Sequence, residues 1–288
     1  MNVILGLLPP ILWGSTYAAI GLYLTDIPPI WLAFWRALPA GLILLSMIRR
    51  LPRLSFKRVA TLGFINISLF FTFLLIGAYR LPGGVAGTLG ATLPLQLILI
   101  QWLVFKKKPA IKALMASILG LIGVALILNP SADLDPVGVA AALFATSLVA
   151  VASILMYRWK SDDIMGVAAW QLIWGGIFLF PIAWIVSGPI VVPNVEQLPG
   201  LVWLVGLNTA IGYVVMIRAL NIFGATTFGI FSLLNPVTAV TLGVLFIGES
   251  LGEAQWIGIA IVLASLLLNQ VRWQKLRFKQ NELKERVA

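Results

Sequence analysis

Apolar runs of about twenty residues, divided by short polar breaks, follow one another through almost the whole chain. Ten are read, at 3–24, 29–48, 58–79, 84–105, 110–128, 137–157, 164–187, 200–220, 225–247 and 254–271. A helix of ~20 apolar residues crosses the hydrocarbon core of a bilayer. The breaks carry turn residues, such as Asp26-Ile27-Pro28-Pro29, Leu81-Pro82-Gly83-Gly84, Asn129-Pro130-Ser131, Gly188-Pro189 and Pro199-Gly200. The chain is 60% hydrophobic and 10% charged, against about 45–50% and about 25% for soluble domains. The expected class is an all-α integral membrane protein with ten transmembrane helices.

The net charge of +10 would suggest nucleic acid in a soluble protein. Here the basic residues sort by side. Arg49, Arg50, Arg53, Lys57 and Arg58 fall between spans 2 and 3. Lys106, Lys107, Lys108 and Lys112 fall between spans 4 and 5, Arg158 and Lys160 between 6 and 7, and Arg218 between 8 and 9. The tail adds six more, so eighteen of twenty lie on one side. Arg80 lies on the other, and Arg36 lies inside a helix. The positive-inside rule then puts both termini in the cytoplasm, and no nucleic-acid partner is expected. Met1-Asn2 carries no basic side chain and no small-residue cleavage pattern follows, so the first run reads as a retained helix. With neither cysteine nor histidine, disulfides, thiolate chemistry, zinc sites and Ser-His-Asp hydrolysis are excluded.

Landmarks repeat between the two halves. Asn66 and Pro94 match Asn208 and Pro236 at an offset of 142, and Gly87 matches Gly229. Trp35-Arg36 aligns with Trp170-Gln171 at an offset of 135. The expected division is 1–130 and 131–271, five helices each, followed by a basic tail over 272–288. Five is odd, so the second half enters the membrane from the opposite face. Two inverted-topology repeats around a central cavity are a recurring design of secondary transporters.

The motifs then resemble a known family. Leu12-Trp13-Gly14-Ser15 and Phe34-Trp35-Arg36 open the chain. Leu234-Asn235-Pro236-Val237-Thr238-Ala239 leads to Gly248-Glu249-Ser250-Leu251 and Gln255-Trp256-Ile257-Gly258. In this order they resemble the drug/metabolite transporter superfamily, specifically the EamA-like ten-helix exporters. Lys107 departs from the pattern, since the family often carries a glutamate there. The resemblance implies export of amino acids or related metabolites, or of cationic drugs, across a bacterial inner membrane.

Several side chains are candidates to line the cavity. Trp13, Thr16 and Tyr17 share a helical face, and Trp13 lies ~15 Å along its helix. Pro9 and Pro10 are expected near the first turn, where a missing donor costs least. Arg36 lies ~10 Å into helix 2, either as a structural arginine or as a partner for a substrate carboxylate. Gln171 is its neutral counterpart. Asn66, Thr88, Thr92, Asn208 and Asn235 add polar groups, and Phe70, Tyr79, Trp170 and Tyr213 add rings suited to an aromatic or other apolar amino acid. Pro94 and Pro236, in mid-helix, read as static kinks or as hinges. Trp31, Trp102, Trp159, Trp203, Trp256 and Trp273 read as interface anchors, and Trp35, Trp174 and Trp184 as deeper. Small-residue stripes at Gly83-Gly87-Ala91, Ala225-Gly229, Ala116-Gly120 and Ala254-Gly258 read as packing seams.

All ten acids fall outside the midplane, with Glu249 at the end of helix 9 the nearest exception. A facilitator or exchanger is therefore expected rather than a carrier with a buried carboxylate site. Expected partners are a small-molecule substrate and the bilayer, with no cofactor or metal, and the chain as a monomer or weak homodimer. A multidrug exporter is the alternative. A membrane enzyme fits less well, because no nucleotide motif or acidic cluster marks either face.

Overall fold

The computed structural model describes residues 2–81, 89–128, 135–247 and 252–268. Helix α1 comprises Asn2–Gly14 and Thr16–Tyr23, α2 is Pro29–Ile48, and α3 runs from Phe56–Gly63 through a π-helical turn, Phe64–Leu69, into Phe70–Arg80. Then come α4 (Leu93–Phe105), α5 (Ile111–Leu128), α6 (Pro136–Arg158) and α7 (Ile164–Ser187). Helix α8 starts at Val195–Gln197 and passes through Leu198–Val202 and a second π turn, Trp203–Ile211, to Gly212–Phe223. Helix α9 is Ala225–Phe231 plus Leu234–Ile247, and α10 is Glu253–Leu268. Eight of these segments are long and apolar enough to cross a membrane, and α4 and α10 are shorter apolar helices. The first five residues of span 4, 84–88, with Thr88 and Gly87, lie outside the described residues, as do Gly83, Glu249 and the tail.

Two expectations about prolines are corrected. Helix α1 begins at Asn2, so Pro9 and Pro10 are interior to it, and the break falls at Ser15, whose N–H and Oγ both donate to Leu12 O, at 3.1 and 2.6 Å. Pro94 and Pro236 are not mid-helix. Each sits in the first turn of a second segment, Leu93–Phe105 or Leu234–Ile247, after a turn at Ala91–Thr92 or Ser232–Leu233. A first turn lacks intrahelical acceptors for its N–H groups, so proline is tolerated there.

The helices exchange partners between halves. Helix α1 packs on α8 and α9, while α6 packs on α3 and α4. Helix α2 lies along α7; α2 also meets the π turn of α8, and α7 meets the π turn of α3. Small residues allow these approaches. A Cβ on Gly41 would lie 2.8 Å from Ile173 N and 2.9 Å from Ala169 O, and one on Gly63 would lie 2.6 Å from Gln171 O. Two of the expected stripes lie on the α5–α10 contact: a Cβ on Gly120 would lie 3.1 Å from Ser265 Oγ, and Gly258 meets Gly123, outside the expected stripe, where a Cβ on either would lie within 2.8 Å of the other's carbonyl oxygen.

Two acidic caps join the halves at opposite ends of the bundle. Asp163 starts α7 by accepting from Gly166 N and also takes Arg53 N and both terminal nitrogens of Arg50. Burial pushes its carboxyl up, but these donors outweigh burial and hold the pKa below the usual value. Asp135 caps α6 through Val137 N and pairs with Arg80 at 3.0 Å.

Candidate functional site

The polar centre forms where the break in α1 meets the π turn of α8. A π turn takes one residue more than an α turn and often marks a functional position. Here it presents Asn208 and Thr209, both buried, to α1 and α2. Asn208 Nδ2 donates to Leu12 O at 2.5 Å, and its Oδ1 accepts from Thr16 Oγ1 and from an Arg36 terminal nitrogen, each at 3.1 Å. Arg36 Nε donates to Thr209 Oγ1 at 3.2 Å, and the guanidinium lies 5.1 Å from the centre of the Phe71 ring. Trp13 Nε1 donates to Asn208 O, and Trp203 Nε1 donates to Ser15 Oγ. The Trp13 ring stands edge-on to Tyr213 and Phe228.

The structure therefore gathers Trp13, Thr16, Arg36, Asn208 and Tyr213 around one node. Phe70 joins it indirectly, through its tilted contact with Phe71. Tyr17 and Tyr79 lie on described helices, but their side chains are outside the described residues. Asn235 lies at the α1–α9 contact, where its carbonyl oxygen would be 2.8 Å from a Cβ on Gly14.

Other candidates lie elsewhere. Thr92 belongs to a chain on α4 and α6 in which Gln96 Nε2 donates to Thr92 Oγ1 and Ser147 Oγ donates to Gln96 Oε1. Trp170 is not in the node: its indole donates to Arg50 O at the basic end of the bundle, and its ring tilts against Phe56. Trp31, read as an interface anchor, is fully buried against Phe34 and Phe180. Trp184, read as deep, is half exposed.

Asn66 and Gln171 stand apart in another way. They match Asn208 and Arg36 across the repeat, and both are buried, at 3% and 0% exposure. Among the described residues, Asn66 Nδ2, Gln171 Nε2 and Gln171 Oε1 have no hydrogen-bond partner. A buried polar atom without a partner costs about 1–3 kcal/mol. One of the two matched sites, Arg36 with Asn208, is hydrogen-bonded across the halves; the other holds orphaned amides, one from each half.

Phe71, Thr209, Ser15 and Trp203 were missed by sequence reasoning. The π turn ahead of Phe70 adds a residue and turns the following face by about 100°, which brings Phe71 to Arg36. Thr209 had one available signal, its place beside Asn208.

Apolar helices broken at matched points, with buried polar side chains collected at the breaks, define a multi-pass helical membrane protein of the secondary-transporter type. The chain belongs to the EamA-like transporter family, which matches residues 1–129 and again 136–270. It is 30% identical over 266 residues to the protein PecM of Dickeya dadantii, covering 91% of this chain and 89% of that one. It is 26% identical to the inner membrane transporter YedA of Escherichia coli K12, covering 90% and 87%. A solved crystal structure superimposes with a TM-score of 0.81 at 17% identity, over 96% of this chain and 98% of the other, and so shares the fold.

Proposed function

We propose that the protein exports amino acids or closely related metabolites across the inner membrane, with Arg36 receiving the substrate carboxylate. The observation that carries this reading is the placing of Arg36. A cation seven residues into α2 is costly in a membrane and marks a substrate or ion path by default. It is 9% exposed, and Asn208, Thr209 and Phe71 fix its position. Trp13, Tyr213 and Phe228 beside it supply rings for an apolar or aromatic side chain. Residues 1–130 and 131–271 act as the two repeats, with both termini cytoplasmic.

Transport proceeds by alternating access of the two halves. The matched polar groups support this. In the described state Arg36 and Asn208 are bonded while Gln171 and Asn66 are not. In the oppositely facing state the roles reverse, and the orphaned amides gain partners. Pro94 and Pro236, each just after a helix break, serve as the hinges. Among the described residues, every carboxylate lies in a loop or at a helix end, which supports facilitated transport or exchange.

The test is counterflow. Purified protein in liposomes, with no ion gradient, exchanges a radiolabelled amino acid against a panel of unlabelled ones. Competition by a defined set, lost at least tenfold in a folded Arg36→Gln variant, is the expected result. If no amino acid exchanges while cationic compounds do, the protein is a multidrug exporter and Arg36 is structural.

A further inference from the structure

Helix α2 does not end as an isolated span usually would. Its cap residue Arg49 adopts the left-handed conformation, φ 48°, and its N–H closes the helix on Leu45 O at 2.7 Å. Glycine holds this position at less steric cost. The Arg49 side chain makes one hydrogen bond among the described residues, from Nε to Ser46 O. Beside it lies a shallow hollow of about 520 Å³, lined by Leu42, Leu45, Ser46, Arg49, Arg50, Leu51 and Trp170. The volume lies within the range of small-ligand sites, about 300–1,000 Å³.

The depth of the hollow identifies its surroundings. Its α2 residues belong to the last two turns, within ~10 Å of the helix end. In a spanning helix that depth is the boundary between acyl chains and headgroups, where tryptophan and arginine concentrate. Leu42 and Leu51 are 49% and 67% exposed. The floor of the hollow is apolar and its rim is cationic. The nearby acid offers no competing charge, because Asp163 is 1% exposed and engaged by Arg50. Among the described residues Arg49 makes no ion pair, and Arg53 and Lys57 are exposed further along the same loop.

We propose that this hollow binds an anionic phospholipid of the adjoining leaflet, with an acyl chain along Leu42, Leu45 and Leu51 and the phosphate on Arg49. The site spans the two halves: α2 supplies most of it, and Trp170 of α7 closes one side. Bound lipid bridges α2 to α7, the helices that pack along each other between the repeats. Arg50 and Trp170 shape the site through their own bonds, Arg50 to Asp163 and the Trp170 indole to Arg50 O.

Native mass spectrometry tests this on the full-length protein, with 1-palmitoyl-2-oleoyl phosphatidylglycerol and its phosphatidylcholine counterpart supplied in equal amounts. The wild type retains phosphatidylglycerol over phosphatidylcholine by about fivefold, the ratio expected for one added cation at an anionic lipid. Arg49→Gly keeps the cap in a conformation that glycine favours, so it folds, and the preference falls to near one. Leu45→Trp fills the hollow and reduces retention of both lipids. Inorganic phosphate at millimolar concentration leaves phosphatidylglycerol in place, since the acyl chain contributes to binding. Equal retention of the two lipids by the wild type, or an unchanged preference in Arg49→Gly, overturns the proposal and leaves Arg49 as a helix cap. Displacement by inorganic phosphate would make the site a free-anion site instead. None of these readouts depends on which substrate is carried.

Discussion

Asn208 and Asn66 are the same residue type at matched positions, with opposite hydrogen-bond outcomes. Asn208 satisfies a helix break, a threonine and a buried guanidinium together. Asn66 leaves its Nδ2 without a partner among the described residues. The same substitution should therefore act unequally. Asn208→Leu removes one hydrogen bond from Arg36 and one from Thr16 and is expected to cost about 2 kcal/mol, since hydrogen bonds to charged groups contribute about 1.5–3 kcal/mol. Asn66→Leu removes an unpaired amide of similar volume and is expected to leave stability unchanged or raise it by about 1–3 kcal/mol. Thermal unfolding of both variants in detergent checks this, and equal losses would contradict the assignment. Both asparagines were visible in the sequence as a matched pair. Their difference was not, because it depends on which side chain the opposing helix supplies: Arg36 bonds Asn208, while neutral Gln171 makes no bond to Asn66 among the described residues.

Among the elements, the spans were legible and their interruptions were not. Length and hydropathy place α2, α5, α6 and α7 within a few residues of the expected ranges. A π turn is one residue's worth of extra backbone and leaves no signature in an apolar run, so neither Phe64–Leu69 nor Trp203–Ile211 was foreseen. Prolines marked the broken helices but misplaced the breaks, which fall just before Pro94 and Pro236 and five residues after Pro10. Glycines were better guides where backbones touch. Gly41 faces backbone atoms of α7, which have no rotamer to yield. Gly41→Ala is expected to destabilise the protein by about 1–3 kcal/mol through overpacking. Gly21, with nothing within 4 Å of its added Cβ, tolerates the same change, with a gain of up to about 1 kcal/mol from helix propensity. Unfolding midpoints of the two variants should move in opposite directions.

For the whole molecule, the exchange of helices matters most. Helix α1 completes a bundle with α8 and α9, and α6 completes one with α3 and α4. Neither half buries its own first helix. Residues 1–130 and 131–288 expressed separately should each fail to give a monodisperse species in detergent. Expressed together, they should copurify with the mobility of the intact chain. Fluorescence-detected size-exclusion chromatography of tagged halves reads this directly, and a stable, monodisperse half alone would argue against the exchanged packing. The sequence by itself determined the class of molecule, the number of apolar segments, the charge asymmetry and the repeat landmarks. These depend on composition and periodicity along one chain. The tertiary structure decided that Arg36 meets Asn208 and Thr209, that Phe71 replaces Phe70 at its side, and that Trp170 bonds Arg50 O and packs on Phe56 instead of joining the node. Those outcomes depend on how helices far apart in sequence rotate and cross, and a one-residue π turn is enough to change which face arrives.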